Sequence, residues 1–449
     1  MTLVSLDPAP AGPVVPFGRA MRDAHFGFDP AYVPINHGSY GAYPLAVREA
    51  HAALRAEVEG APDRFIVIEW PARLRASRAA VARMLRCATD ELVFTPNATT
   101  ASDTVFKNLR WRPGDVVLVY DLVYNAAREG LRWLEDTLGV RVEVVPLELP
   151  RPDAEIVAAF VDTAKRINAT GTARVRLAVL DTIISTPGVR IPFEALVPAL
   201  QAEGALVLVD AAHGIGHVHI DLEALRPDFL VTSLNKWLFV PRGVSALYVP
   251  ARNQALIRST VPTSARYRGR AGDAGVDSGN SFVEMFDFVA TLDMTNFLMV
   301  KAALTFRTTV CGGEPAISAY CRSVAQQGAA AAARVLGTRV MDCSDSCLRD
   351  CYFANVALPL EIISEREQNS SSSGTSIPRA DADAVIQWIR EVGVAESACY
   401  AQICVYRDVF WWRLSGMVYV EVADFVGAAE ILVGLCERAG RGEYLEGKR

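Results

Sequence analysis

Three polar groups in this sequence follow apolar runs and could act together. Lys236 lies in SLNKWLFVPRG, directly behind PDFLVTS. Asp210 opens DAAHGIG, behind ALVLV, with His213 three positions on. Thr99 and Thr100 lie in FTPNATTASD. A desolvated lysine has a lowered pKa and a free lone pair, so it can condense with a carbonyl. A carboxylate can hold a proton on a heteroaromatic nitrogen. Small polar residues at a helix start suit a phosphate, because free backbone N–H groups and the helix dipole favour an anion. Taken singly, each has an ordinary explanation. A strand-end lysine snorkels to water, NATT is a plain N-cap, a strand-end aspartate serves a turn, and a lone histidine is hydrogen-bonded structure. Arg413 in WWRLSG reads alone as half of an ion pair. The order of the three groups is what carries information.

That order matters because of the elements that must position them. DVVLVY (115–120), RVEVVPL (141–147), VRLAVLD (175–181), ALVLVD (205–210) and DFLVTS (228–233) are almost continuous in Val, Leu and Ile. Such runs belong to strands buried on both faces of a parallel sheet. Segments such as NAAREGLRWLEDTL and PFEALVPALQAEG read as crossover helices, as do residues 44–60 and 71–86 before them. Repeated strand–helix–strand units predict a doubly wound α/β domain. Ligands of such sheets bind beyond the carboxyl ends of the strands. Asp121 and Tyr124, Ser185, Asp210 with His213, and Lys236 all stand there. One cofactor uses an amine, an acid and a phosphate cradle at one edge. Pyridoxal 5′-phosphate takes the lysine as a Schiff base, the aspartate at its pyridine nitrogen, and a phosphate site.

Bulk properties agree with an enzyme of small molecules. The chain has 449 residues, too many for one small core, so two domains are expected. Net charge is −6, which argues against a nucleic-acid or membrane-surface binder. No charge-free run of about 18 apolar residues occurs, so no membrane span is expected. The start MTLVSLDPAPAGPVVPFG lacks the basic region of a signal peptide. Nine cysteines at irregular spacing point to reduced thiols and a cytoplasmic setting. Cys343, Cys347 and Cys351 are four apart but have no partner CxxC or histidine, so no metal site is expected.

Residues 1–30 are expected as an N-terminal arm, 31–295 as the large domain and 296–449 as a smaller α+β domain. In the latter, LMVKAALTFRTTV, SVAQQGAAAAARVLG and GAAEILVGLCERAGRG read as helices. CYFANVALPL and WWRLSGMVYVEVADF read as strands, and the polar stretch 364–383 as a mobile loop.

The motifs NHGSYG, PNATT, DAAHGIGHV, KWLFVPRG and RNQALIRSTVPTS together resemble the class V aminotransferase-like branch of fold-type I pyridoxal-phosphate enzymes. The likeness covers nearly the whole chain. Within that branch the pattern is similar to isopenicillin N epimerase-like proteins, ergothioneine-pathway C–S lyases and loline-type alkaloid cyclases. The resemblance implies Lys236 as the Schiff-base lysine, Asp210 as the pyridinium partner, and Tyr124 as the ring-stacking group and a second proton carrier. It implies His213 and Ser185 near the ring hydroxyl, and Thr99, Thr100 and Ser233 at the phosphate. Thr291 would reach the phosphate of a neighbouring subunit, making a homodimer with shared sites. Arg413 would grip the carboxylate of an amino-acid substrate, with His37 and Gly38 close by. Some positions depart from the pattern: Asn235 replaces a usual His, Ala127 a lyase cysteine, Ala265 a histidine, and Ala290 a glycine. An intact cofactor set beside altered substrate-side residues implies quinonoid or carbanion chemistry at Cα with a changed outcome. The expected outcome is ring-forming C–C bond formation in fungal specialised metabolism. A β-eliminating C–S lyase, an aminotransferase or an epimerase is the alternative.

Overall fold

A computed structural model describes residues 12–269, 281–363 and 375–448. In chain order the strands are β1 (Leu92–Thr95), β2 (Asp115–Tyr120), β3 (Arg141–Val145), β4 (Arg174–Asp181), β5 (Ile183–Ile184), β6 (Val189–Arg190), β7 (Leu206–Asp210), β8 (Phe229–Ser233), β9 (Ser245–Tyr248), β10 (Phe353–Ile363), β11 (Ser376–Pro378), β12 (Gln402–Tyr406) and β13 (Val409–Ser415). Seven of them form one sheet in the order β1-β9-β8-β7-β4-β2-β3. The five strands from β3 to β8 pair in parallel, and these are the five expected from the apolar runs. β2 and β8 are buried at every position, as helices on both faces require. β9 pairs antiparallel with β8, and β1 antiparallel with β9. These two short strands were not legible in the sequence, since four residues carry little periodicity.

Crossover helices close the layers. Asn125–Leu138 and Phe193–Ala202 fall where the sequence puts them. Helices Leu45–Gly60 and Trp70–Leu85 also match their expected segments. Leu74, Arg78, Val81 and Leu85 of the second are buried, at the three- and four-residue spacing that predicts it.

A second, four-stranded sheet, ordered β11-β10-β13-β12, lies in the C-terminal part with helices Glu314–Leu336, Ala382–Ser397 and Val422–Gly440. Two expectations need correction here. The strand predicted over 411–425 ends at Ser415. At Gly416 an added Cβ would lie 2.2 Å from the Cys321 carbonyl oxygen, so only glycine fits where the strand ends. A reciprocal capping box between Glu421 and Asp424 then starts a helix. The expected loop 364–383 is shorter at its C-terminal end, because Ile377 is buried in β11, which pairs with β10. Residues 364–374 of it lie outside the described residues. The same is true of residues 1–11 of the arm. Its later part is ordered by Val14 and Gly18, whose N–H groups donate to Val310 and Val418 carbonyls, and it contains helix Arg19–His25. No helix among the described residues is long and apolar enough to cross a membrane.

Candidate active site

A cavity of about 420 Å³ opens beyond the carboxyl ends of β4, β7 and β8. Lys236, Asp210, His213, Ser185, Ser233, Tyr124 and Thr99 all line it. Seven of the twelve expected residues are thus brought together around one volume.

Lys236 sits in the short turn Leu234–Trp237, which β8 delivers to the cavity. Three contacts fix that turn. Arg307, fully buried, donates to the Trp237 carbonyl at 2.6 Å and is itself held by Glu314. Asn235 Nδ2 donates to the Tyr40 carbonyl at 3.1 Å. Gly41, with φ of 70°, packs so closely that a Cβ would lie 1.8 Å from the Asn235 carbonyl oxygen. Behind the turn Phe239 adopts φ of 67°, a left-handed conformation that a bulky residue keeps only under dense packing. The Arg307 guanidinium stacks 5.2 Å over its ring.

The lysine amine lies 3.2 Å from His213 Nε2, while His213 Nδ1 accepts the Trp237 indole N–H at 3.2 Å. An Nδ1 that accepts places the imidazole proton on Nε2. Nε2–H can then donate to Lys236 when the amine is in its neutral form. Burial pulls the lysine pKa down to about 8, with Arg413 acting the same way against Asp210 and Asp181. Burial, then Lys236 and Arg413, hold His213 well below its usual value, so it stays neutral. The Tyr124 ring lies 5.9 Å from the amine and is half exposed at the cavity mouth.

Asp210 is buried, and one of its oxygens accepts the Ala212 N–H at 2.8 Å. Burial raises its pKa, while Ala212 and Lys236 lower it. Helix Ala98–Asn108 points its N-terminus at the opposite end of the cavity. The Asn97 side chain caps it by accepting the Thr100 N–H at 2.8 Å. Thr100 therefore serves the helix here and does not line the cavity, whereas the exposed Thr99 does.

Arg413, on β13, is 1% exposed. Its Nη1 donates to the Ser185 carbonyl at 2.8 Å, and its Nη2 donates to Asn36 Oδ1 at 2.9 Å and Ser39 Oγ at 2.8 Å. Its Nε has no partner, and among the described residues no carboxylate pairs with it. Burial pulls its pKa down to about 10. Gly188 permits the approach, since a Cβ there would lie 2.7 Å from Arg413 Cδ. A buried guanidinium with no counter-charge is costly unless an anion completes it. His37 is buried with Nδ1 2.6 Å from the Tyr419 hydroxyl, and burial lowers its pKa to about 3. Gly38 packs on Phe353, with no room for a Cβ. Neither lines the cavity. Thr291 is exposed and outside it, and so is Ala265. No metal-binding group of three or more His, Cys, Asp or Glu occurs among the described residues.

The sequence reading missed Asp181 and Asn97, which line the cavity, and Asn36 and Ser39, which hold Arg413. Asp181 had a visible signal. VRLAVLD ends in a carboxylate just as ALVLVD does.

Comparison with known proteins decides the family. The sequence model described as "Aminotransferase class-V" matches residues 67–267. The chain is 34% identical over 440 residues to an L-cysteine desulfhydrase-like protein, lolT1, of Epichloe uncinata, covering 94% of this chain and 96% of that one. The chain belongs to the class V aminotransferase family. It is 28% identical over 429 residues to hercynylcysteine sulfoxide lyase of Schizosaccharomyces pombe, covering 94% and 98%. Isopenicillin N epimerase of Streptomyces clavuligerus is 32% identical over 230 residues, covering 51% and 56%. The fold of this class V member matches the cystine C–S lyase C-DES with a TM-score of 0.67 at 19% identity, covering 90% and 97%. It is a pyridoxal 5′-phosphate-dependent enzyme. The residues present fit that cofactor: a recessed amine with a lowered pKa, a buried carboxylate and a helix N-terminus share one cavity.

Proposed function

We propose that this enzyme acts at the Cα of an α-amino acid whose carboxylate is gripped by Arg413. The buried guanidinium without a carboxylate partner carries this reading. Two parallel N–H donors match a carboxylate, and a dry site strengthens the pair. Bound pyridoxal 5′-phosphate supplies an electron sink for charge developing at Cα. Lys236 anchors it and, when released as an amine, moves the proton at Cα. Asp210 keeps the ring nitrogen protonated, Tyr124 covers the ring face, and Ser185 and His213 serve the ring hydroxyl. Thr99, Thr100 and Ser233 hold the phosphate, with Thr100 exchanging its Asn97 contact for it. His37 and Gly38 shape the substrate side through the segment that holds Arg413. In a homodimer, Thr291 of a second copy completes the phosphate end. The large unit spans 31–295 and the small one 296–449, in a cytoplasmic enzyme of specialised metabolism.

The outcome we propose is ring closure through a new C–C bond: loss of a proton or CO2 leaves a carbanion at Cα, which would attack an internal iminium carbon as the C=N electron pair returns to nitrogen. Ala127 supports it, because it lines the cavity where C–S lyases carry a cysteine, and no cysteine lines that cavity. Amino acids with an amino-aldehyde or cyclic iminium side chain should yield cyclic products by mass spectrometry. Recovery of only unchanged substrate and keto acid rejects the proposal. The near full-length likeness to hercynylcysteine sulfoxide lyase favours a second reading, β-elimination from cysteine conjugates. Pyruvate and ammonia released from a panel of thioethers and sulfoxides would select it.

A further inference from the structure

Asp181 and Asp210 end neighbouring parallel strands in register, so their side chains rise on the same side of the sheet. Both are buried and both line the cavity. On the far side of Asp181, Tyr120 ends β2, the next strand over. Its fully buried hydroxyl donates to Asp181 Oδ2. Asp210 instead accepts a backbone N–H from Ala212. The charged and titratable groups around this pair are few: Lys236 on the turn after β8, the neutral His213 after β7, Asp121 after β2, and Tyr120 itself. Among them Lys236 is the one that can be cationic; Lys107, which also lines the cavity, is paired with Asp103. Two buried carboxylates in adjacent register share that single cation, and their mutual repulsion in a dry site disfavours ionising both, so the pair keeps a proton.

The surroundings decide where that proton rests. Asp210 sits closer to Lys236 in sheet order, since β7 adjoins β8. Asp181 lies one strand further from it. We propose that Asp181 is a positioning residue that keeps this proton, so that Asp210 alone is the carboxylate facing the cofactor's ring nitrogen. A neutral Asp181 carboxyl can still accept from Tyr120 through its carbonyl oxygen while its own O–H serves as a donor to Asp210. That would stiffen Asp210 and hold its charge on the cavity side. Burial and Asp210 push the Asp181 pKa well above the usual carboxylate range, and Tyr120 and Lys236 oppose them. The Asp210 pKa is raised by burial as well, with Ala212 and Lys236 opposing.

The inference rests on the role given to Asp210 above, and the experiment separates the two. Infrared difference spectra of the enzyme, with and without pyridoxal 5′-phosphate, should show the C=O stretch of a protonated carboxyl at neutral pH. Asp181→Asn should remove that band, whereas Asp210→Asn, which lifts the neighbouring charge but not the burial of Asp181, should at most weaken it. Cofactor binding gives a second readout. Asp181→Ala should raise the dissociation constant of pyridoxal 5′-phosphate about tenfold or more, while Asp181→Asn, a neutral isostere that still accepts from Tyr120, should restore it to within about threefold. Absence of the band overturns the proposal, as does its loss in Asp210→Asn alone. An Asp181→Asn enzyme that binds cofactor as poorly as Asp181→Ala also overturns it. Wild-type affinity in Asp210→Asn would instead refute the role of Asp210 and leave the infrared assignment of Asp181 standing.

Discussion

Lys236 shows how local surroundings turn an ordinary side chain into a nucleophile. Burial disfavours its ammonium form, and a tautomer-locked His213 offers it a proton donor. The sign of the pH effect follows. With the pKa lowered to about 8, the amine is an unreactive ammonium below that pH and a free base above it. Capture of pyridoxal 5′-phosphate by the apo-enzyme should therefore accelerate as pH rises through about 8 and then level off. Stopped-flow absorbance at the visible band checks this, and Lys236→Ala should never develop the band. The same shift sets a stability trend in the apo-enzyme. The penalty for a buried ammonium is fully present below about pH 8 and is relieved between there and the unfolded pKa near 10.5. Arg413 is predicted from its geometry. Arg413→Lys keeps the charge but loses the planar fork, so KM for the amino acid should rise roughly 30- to 1000-fold, about 2–4 kcal/mol, with cofactor affinity little changed. Equal loss of cofactor would show that Arg413 serves the pocket and not the substrate. Residue types and order singled out Lys236 and Asp210, and the family resemblance added Arg413. They could not show that Arg413 lacks a carboxylate partner, because that depends on what the fold brings against β13.

At the scale of elements, the turn carrying Lys236 is braced by a segment nearly two hundred residues earlier. The segment from Asn36 to Gly41 is tied to Asn235, to Arg242 and to Arg413. Asn235 reads in the sequence as a departure from a family histidine. In the fold it is a tether, since its amide reaches the Tyr40 carbonyl. Gly41→Ala tests the brace. A left-handed φ and a Cβ 1.8 Å from the Asn235 carbonyl force one partner to move, which should cost about 2 kcal/mol or more. The urea midpoint should fall, and cofactor affinity with it. An unchanged midpoint would mean the segment is free of the turn. The five parallel strands were legible because continuous apolar runs mark burial on both faces. β1 and β9 were not, and the strand expected beyond Ser415 failed at Gly416, where close packing ends it and a capping box begins a helix.

For the whole molecule, the strand ends of the large sheet supply Asp210 and Lys236 to the cavity, while Arg413 on β13 of the second sheet is buried next to Ser185, one of its lining residues, and the N-terminal segment locks onto that arginine. Thr291 is exposed and lies outside the cavity lining of its own chain. If a second copy supplies that residue, the enzyme should run as a dimer in sedimentation at micromolar concentration. Mixing Lys236→Ala with Thr291→Val subunits should then form hybrids with one wild-type-like site, and activity should recover partly on mixing. A monomer with full activity would refute the shared site. The sequence by itself determined the fold class and the cofactor. Those depend on periodicity and on residue types at strand ends, which are local properties. Only the tertiary structure decided that Arg413 stands without a counter-charge, that His213 is locked in one tautomer, and that Asp181 stands in register beside Asp210. Each of these depends on which distant segments share a surface, and burial there sets the charge.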